Sequence, residues 1–267
     1  DMLSLDCIEQ CVEHIGECDI LWHDYTCIYE DNIAPQNTSL LENLGLKQND
    51  VKAPLKALDL WKHTDSFSCV CMGVFHISLF EKLRFTPTIQ SEDALFGMLV
   101  FAKAKSIEFL NKPLYIYRMR ANSTSDHTLS QATPLRPTPA YLSDIAYTFY
   151  NSYKIKHYHF AYSCAYICLG LLEFISILHT CQNESPAYKG ALKTKLIAFL
   201  QLRAMYAFGG VSFESDPKNI RALLKPLEPY MQKCSFSIKL AYYMPRLYRI
   251  LRYLKQRCKA FLPISKT

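Results

Sequence analysis

The sequence has no C-x-x-C pair among its eleven cysteines and no cysteine–histidine grouping with zinc-finger spacing. With the count odd and the spacing irregular, Cys7, Cys11, Cys18, Cys69, Cys71, Cys164 and Cys168 read as small apolar core residues. A reducing compartment and no structural metal are the expectation. An unbroken apolar run of membrane-spanning length is also lacking. The stretch 160–178 carries Glu173 and is interrupted by tyrosines, a serine and cysteines, which predicts a buried core helix. The tyrosines come with no RNA-reading signature and lie mostly in apolar periodic segments, so nucleic acid is not an expected partner. No signal peptide or lipidation motif precedes Asp1, and the chain opens inside a motif. It therefore reads as a cytoplasmic protein lacking its beginning.

Acidic residues are missing altogether beyond Glu228, and that absence shapes the charge. The 267 residues carry a formal +6, from 30 basic and 24 acidic side chains. Nine of the basic ones follow Glu228, leaving the body with 21 against 24. Leu247, Ile250, Leu251, Leu254, Cys258 and Phe261 recur at helical spacing, with Arg246, Arg249, Arg252, Lys255 and Lys259 opposite and Arg257 near the edge. Pro245 opens this helix and Pro263 stops it. A basic amphipathic helix suits an anionic membrane surface. The competing arrangement packs the apolar stripe on the preceding helices and leaves the charges in water.

What is present is ordinary globular composition, half hydrophobic and a fifth charged. The spacing predicts a helix over 1–15, capped by Ser4 with Leu5, Ile8, Cys11, Val12 and Ile15 inward, and ended by Gly16. A strand is expected over 19–29. His23 and Asp24 are adjacent there, hence on opposite faces, and do not share a ligand site. Pro54 opens a helix to about His63, 67–73 is extended, and 77–82 is a short helix. Ile107–Leu110 and Leu114–Tyr117 read as two short strands split at the Asn111-Lys112-Pro113 turn. The aperiodic 126–139 marks a boundary, and from Tyr141 the chain turns helical. Leu192–Phe208 forms one helix there, and 217–230 another with Ala222, Leu223 and Leu227 inward.

Chemistry concentrates between Ser91 and Ser125. Ser91 is an N-cap type, and Glu92 and Asp93 fall in a first helical turn, where free N–H groups and the dipole favour negative charge. Leu95, Met98, Leu99 and Ala102 give that helix its buried face. The later strand carries Arg118 and Arg120 to its end on one side, because strand side chains alternate. An acidic helix mouth facing two arginines suits a hydroxyl losing its proton as an anionic leaving group departs. Capping chemistry with surface ion pairing accounts for the same residues without catalysis.

The segment from Phe85 to Ser125 resembles the later part of the catalytic domain of family-two, GT-A-type bacterial glycosyltransferases of surface polysaccharide and lipooligosaccharide synthesis. The matching residues are Glu92, Asp93, Phe96, Asn111, Pro113, Leu114, Tyr115, Tyr117, Arg118, Arg120, Asn122, Ser123 and Thr124. Asp1-Met2-Leu3 is similar, more weakly, to the region just after the family's D-x-D. The resemblance implies an α/β fold: the later half of a GT-A nucleotide-sugar transferase domain, a Rossmann-like mixed sheet, over 1–130. A helical C-terminal region with the basic tail follows over 131–267. It implies inverting transfer of a sugar from a nucleotide-sugar donor to a hydroxyl of a glycan or lipid-linked acceptor at the cytoplasmic face of the inner membrane. Asp93 would be the base and Glu92 would orient the acceptor. Arg118 and Arg120 would meet the donor diphosphate, and Ser123, Thr124 and His76 the acceptor or its loop. Mg²⁺ or Mn²⁺ would serve the intact enzyme, with Asp1 as a metal-side carboxylate. The alternative is a non-catalytic remnant or assembly partner lacking the donor-binding half.

Overall fold

The computed structural model describes residues 1–29, 35–46, 54–65, 71–81, 83–119, 135, 137–178 and 184–261. Two compact units are formed, Asp1–Ser130 with Gly170–Phe199, and Gln131–Leu169 with Leu200–Thr267. A mixed five-stranded sheet is followed by a largely helical region.

In the first unit the chain opens with β1 (Met2–Leu3) and α1 (Cys7–His14). The helix starts later than the sequence predicts. Met2 and Leu3 pair antiparallel with Ile116 and Tyr115, and Asp6, not Ser4, occupies the cap position. The inward face differs in part: Cys11 is buried as expected and Ile15 partly so, but Leu5, Ile8 and Val12 are exposed and Cys7 is buried instead. Two apolar stripes share the helical period here, and the one that seats small thiols against the sheet is the one buried.

The sheet is built on β2 (Ile20–Tyr29), as the sequence leads one to expect. One edge of β2 pairs with β3 (Gln36–Thr38) and, nearer its start, with β4 (Gly73–Phe75), both antiparallel. The other edge pairs in parallel with β5 (Ile107–Met119). β5 is one continuous strand, not two. Pro113 is tolerated because the register slips between His23 and Tyr25, where a bulge releases the chain from regular pairing. Short helices α2 (Leu40–Asn43) and α3 (Ala57–Leu60) and the 3₁₀ turn Ile77–Phe80 fill the connections. The second and third of these are shorter than the sequence predicts. Leu55 bridges Ile107 at the sheet instead of joining a helix.

The core helix is α4 (Glu92–Lys103), buried all round from Ala94 to Ala102, as a helix hydrophobic on every face must be. Phe101 meets Trp22 edge-on with centroids 5.1 Å apart, which locks α4 to the strand that organises the sheet.

Helices α5 (Ser143–Phe149), α6 (Ser152–Ile177) and α7 (Pro186–Gly209) follow. Asn151 Oδ1 caps α6 by accepting from the Lys154 amide at 3.0 Å, and Ser185 Oγ caps α7 through the Tyr188 amide at 3.2 Å. By length and composition α6 is apolar enough to cross a membrane, the one such helix among the described residues. Its Cys164, Ala165, Ile167, Cys168 and Leu171 are fully shielded by protein, while less than half of its apolar window is buried. In the second unit, α8 (Ile220–Leu223) and a 3₁₀ segment, Lys225–Tyr230, replace the single helix expected there. Ile220, Leu224 and Leu227 are buried and Ala222 is not. Asp216 sets this start by accepting from Tyr158 Oη and from the Ile220 amide at 2.7 Å. Arg221 then donates to the carbonyls of Ala241 and Tyr242 at the end of α9 (Phe236–Tyr243), satisfying acceptors the helix leaves open. Last comes α10 (Pro245–Phe261).

Candidate active site

Glu92 and Asp93 stand in the first turn of α4, where the sequence places them. Ser91 holds the cap position but makes no side-chain capping bond. Its backbone is left-handed, at φ 59° and ψ 43°, a conformation costly for any residue with a Cβ. Glu92 is exposed and Asp93 half-buried.

Asp1 and the Tyr115–Arg118 stretch, singled out separately in the sequence, meet toward the carboxyl end of β5. Asp1 Oδ2 accepts from Tyr115 Oη at 3.0 Å and its Oδ1 accepts from the Arg118 amide at 2.9 Å. The strand pairing of β1 with β5 brings Asp1 there. Burial, and then the neighbouring Cys71, push the Tyr115 phenol up, so it stays protonated and donates. The Cys71 thiol is also raised, first by desolvation, with Tyr115 opposing the rise and the charge of Asp93 adding to it. Tyr115, Asp1 and the Arg118 backbone are thus hydrogen-bonded in series. Tyr117 lies on the same face two residues on, its ring 6.5 Å from that of Tyr115 and 6.4 Å from that of Tyr25. An acidic group beside an aromatic shelf offers a proton acceptor and flat surfaces for a sugar or base.

Other expected members are placed elsewhere or fall outside what is described. The Arg118 side chain is exposed at the strand end. Arg120, Asn122, Ser123 and Thr124 lie outside the described residues, as does most of the 126–139 stretch. His76 is exposed and engaged with its own turn. Its Nδ1 accepts from the Ser78 amide at 3.3 Å and lies 2.8 Å from Ser78 Oγ. The electrostatic influence of Asp93 and Tyr115 on Cys71 was not legible, because no spacing rule links residues that far apart in the sequence.

A second constellation escaped sequence reasoning. Cys7, Cys11 and His23 present two sulfurs and an imidazole nitrogen within 4.8 Å of one another. The i, i+4 spacing of the two thiols is the signal that points to a shared helix face. Nothing in the sequence ties His23, on the next element, to it. Asp24, its neighbour, faces away and accepts from the Leu40 amide at 2.7 Å, consistent with strand alternation. Burial raises Asp24 and this bond opposes the rise.

Hard divalent cations take oxygen ligands, and Mg²⁺ is held by one or two carboxylates plus substrate phosphates. Asp1 is a single exposed carboxylate whose two oxygens accept from Tyr115 Oη and the Arg118 amide, and no second carboxylate among the described residues joins it in a metal-holding group. The cysteine–histidine group has no oxygen donor and does not fit Mg²⁺ or Mn²⁺. No protein-family model, curated protein or solved structure matches this chain.

Proposed function

We propose that the chain is the later part of a GT-A-type glycosyltransferase that moves a sugar from a nucleotide-sugar donor to a hydroxyl of a cell-surface glycan acceptor, with inversion. The observation that carries the reading is the meeting of Asp1, Tyr115 and the Arg118 amide near the end of β5. Ligands of mixed and parallel sheets sit beyond the carboxyl ends of the strands, where β2 and β5 finish side by side.

In this reading Asp93 takes the proton of the acceptor hydroxyl as its oxygen attacks the anomeric carbon. An ordinary aspartate is a weak base, so proton removal is concerted with attack and depends on placement. Placement is what α4 supplies, since its buried length fixes the first turn. Glu92, one residue earlier and exposed, orients the acceptor. Arg118 extends toward solvent at the strand end and meets the departing diphosphate through charge-assisted bonds. Arg120 joins it in the same role. Asp1 would be the protein's carboxylate for a Mg²⁺ or Mn²⁺ ion that neutralises the diphosphate. Tyr115 holds Asp1 in that position.

Calorimetry of the full chain with nucleoside diphosphates in the presence of Mn²⁺ tests the donor side. Binding is expected, and Arg118→Ala is expected to weaken it about tenfold to a hundredfold, the worth of a hydrogen bond to a charged group. A folded protein that binds no nucleoside diphosphate contradicts this reading and leaves the non-catalytic partner in its place.

A specific observation supports a membrane partner. On α10, Leu247, Ile250, Leu251 and Leu254 are 38%, 57%, 47% and 51% exposed, so about half of the apolar stripe stays open to solvent. Arg246, Arg249 and Arg252 are exposed too. A half-open apolar stripe flanked by arginines fits the anionic cytoplasmic surface on which lipid-linked acceptors are presented.

A further inference from the structure

Two elements that the sequence separates face each other beneath the sheet. Cys7 and Cys11 lie one turn apart on the inward side of α1, and His23 projects toward them from β2; the three are 2%, 1% and 1% exposed. Cys18, Leu21, Leu110 and Leu114, with Ile15 and Val74, make the surroundings apolar. His23 Nδ1 is 2.9 Å from the Asp24 carbonyl. A carbonyl only accepts, so Nδ1 carries the proton and Nε2 presents its lone pair to the sulfurs. A hydrogen bond of this kind on the far nitrogen is what orients histidine ligands in metal sites. Nε2 is 4.0 Å from Cys7 Sγ.

A thiol donating to the imidazole is the simpler explanation, and it accounts for the group poorly. At 4.0 Å the contact is at the limit even for sulfur, and the bond between the Cys7 and Cys11 thiols accounts for their pairing but not for an imidazole lone pair aimed at both. Metal bonds of about 2.3 Å to sulfur and about 2.0–2.1 Å to nitrogen span the same separation at an open angle.

We propose that Cys7, Cys11 and His23 form a buried site for one thiophilic metal ion of the Zn²⁺ or Cu⁺ class, bound through two thiolate sulfurs and Nε2 of neutral imidazole. With no oxygen among the donors, hard cations are excluded. Uptake sends the two thiol protons to solvent, and the two thiolate charges then balance a divalent zinc, so a neutral complex sits in an apolar pocket. A cuprous ion would leave one negative charge but be satisfied by three donors, whereas zinc takes a fourth from water or an added thiol. Either ion clamps α1 to β2, and α1 follows directly on the segment that seats Asp1 against β5. The proposal stands apart from the transferase reading, and nothing in its test depends on turnover.

Full-chain protein stripped of metal under reducing conditions would be titrated with Zn²⁺ alone and, in a separate arm, with Cu⁺ against a chromogenic competitor. Co²⁺ serves as a spectroscopic stand-in for zinc. One equivalent is expected to bind, with a thiolate-to-cobalt charge-transfer band and release of two protons per zinc. Cys7→Ala and Cys11→Ala, which keep the pocket apolar, are each expected to abolish stoichiometric binding. His23→Gln should weaken it by about 10–100-fold or more. If the alanine variants do not fold, alkylation of the wild type in mild urea replaces them. Metal should then slow modification of Cys7 and Cys11 but not of exposed Cys71 and Cys258. Folded wild-type protein that takes up neither ion at micromolar concentration overturns the proposal. So does binding that survives both alanine substitutions, or alkylation of Cys7 and Cys11 at the same rate with and without metal.

Discussion

Ser91 holds its backbone at a positive φ immediately before the acidic pair, without a side-chain bond to offset the cost. Non-glycine residues there are disfavoured by about 1–2 kcal/mol, part of which glycine gives back in chain entropy. Ser91→Gly is therefore expected to raise stability by about 1 kcal/mol or less, read as a higher urea midpoint at unchanged slope. A lower midpoint would mean the serine side chain contributes something the cap geometry does not require. The acidic pair itself was legible, because N-cap type, first-turn acids and the period that follows are all local signals. Its surroundings were not. Tyr115 and Asp1 stand 114 residues apart and meet only through the pairing of β1 with β5, which no local pattern encodes.

Among the elements, β2 and α4 were readable because each carries one unambiguous apolar run, although burial is continuous over Ile20–Asp24 and Ala94–Ala102 and confined to no single face. α1 and β5 show where the pattern is ambiguous. On α1 the expected stripe of Leu5, Ile8, Cys11, Val12 and Ile15 is right at Cys11 but exposes Leu5, Ile8 and Val12, because Cys7 with Cys11 keeps helical spacing too and turns the helix toward the thiols. On β5, Pro113 argues for a break locally, while the bulge that accommodates it belongs to the pairing with β2. Close approach fixes two glycines. A Cβ at Gly73 would lie 2.6 Å from the Leu21 carbonyl oxygen, part of a paired strand that has nowhere to move. One at Gly170 would lie 2.7 Å from the tip of the Leu95 side chain. Gly73→Ala is thus expected to be the more destabilising, by about 1–3 kcal/mol or more, with Gly170→Ala milder, because a side-chain tip can turn aside. Chemical denaturation of the two variants checks the order, and the reverse order would contradict the β2–β4 pairing.

The tail α10 was readable too, as a helix and as a basic stripe, but whether its apolar side packs inward is a tertiary fact. With Leu247, Ile250, Leu251 and Leu254 exposed, liposome flotation has a definite expectation. The full chain should float with anionic vesicles and much less with neutral ones. Each basic residue near the surface contributes about 1 kcal/mol. High salt should weaken the attachment without abolishing it, because burial of the leucines is not screened. A chain ending before Met244 should stay at the bottom of the gradient. Equal flotation by that shorter chain would remove α10 from the account.

At the scale of the whole molecule, charge and chemistry are segregated. The mixed sheet carries the acidic and aromatic cluster, and the basic surface belongs to the last helix of the other unit. Composition made that division of charge visible in advance, since the excess of positive charge lies after Glu228. It did not show that Gly170–Phe199 belongs with the sheet unit, because helix periodicity runs unbroken through α6 and α7 whichever unit their ends join. The account rests most on Asp93 as the group that takes the acceptor proton. Sugar transfer by the full-length protein, wild type against Asp93→Asn, measures this directly when nucleotide affinity is followed on the same samples. The account expects transfer to fall by about 10²–10⁴-fold with nucleotide affinity within a few fold of wild type. Near-normal turnover by Asp93→Asn would contradict it.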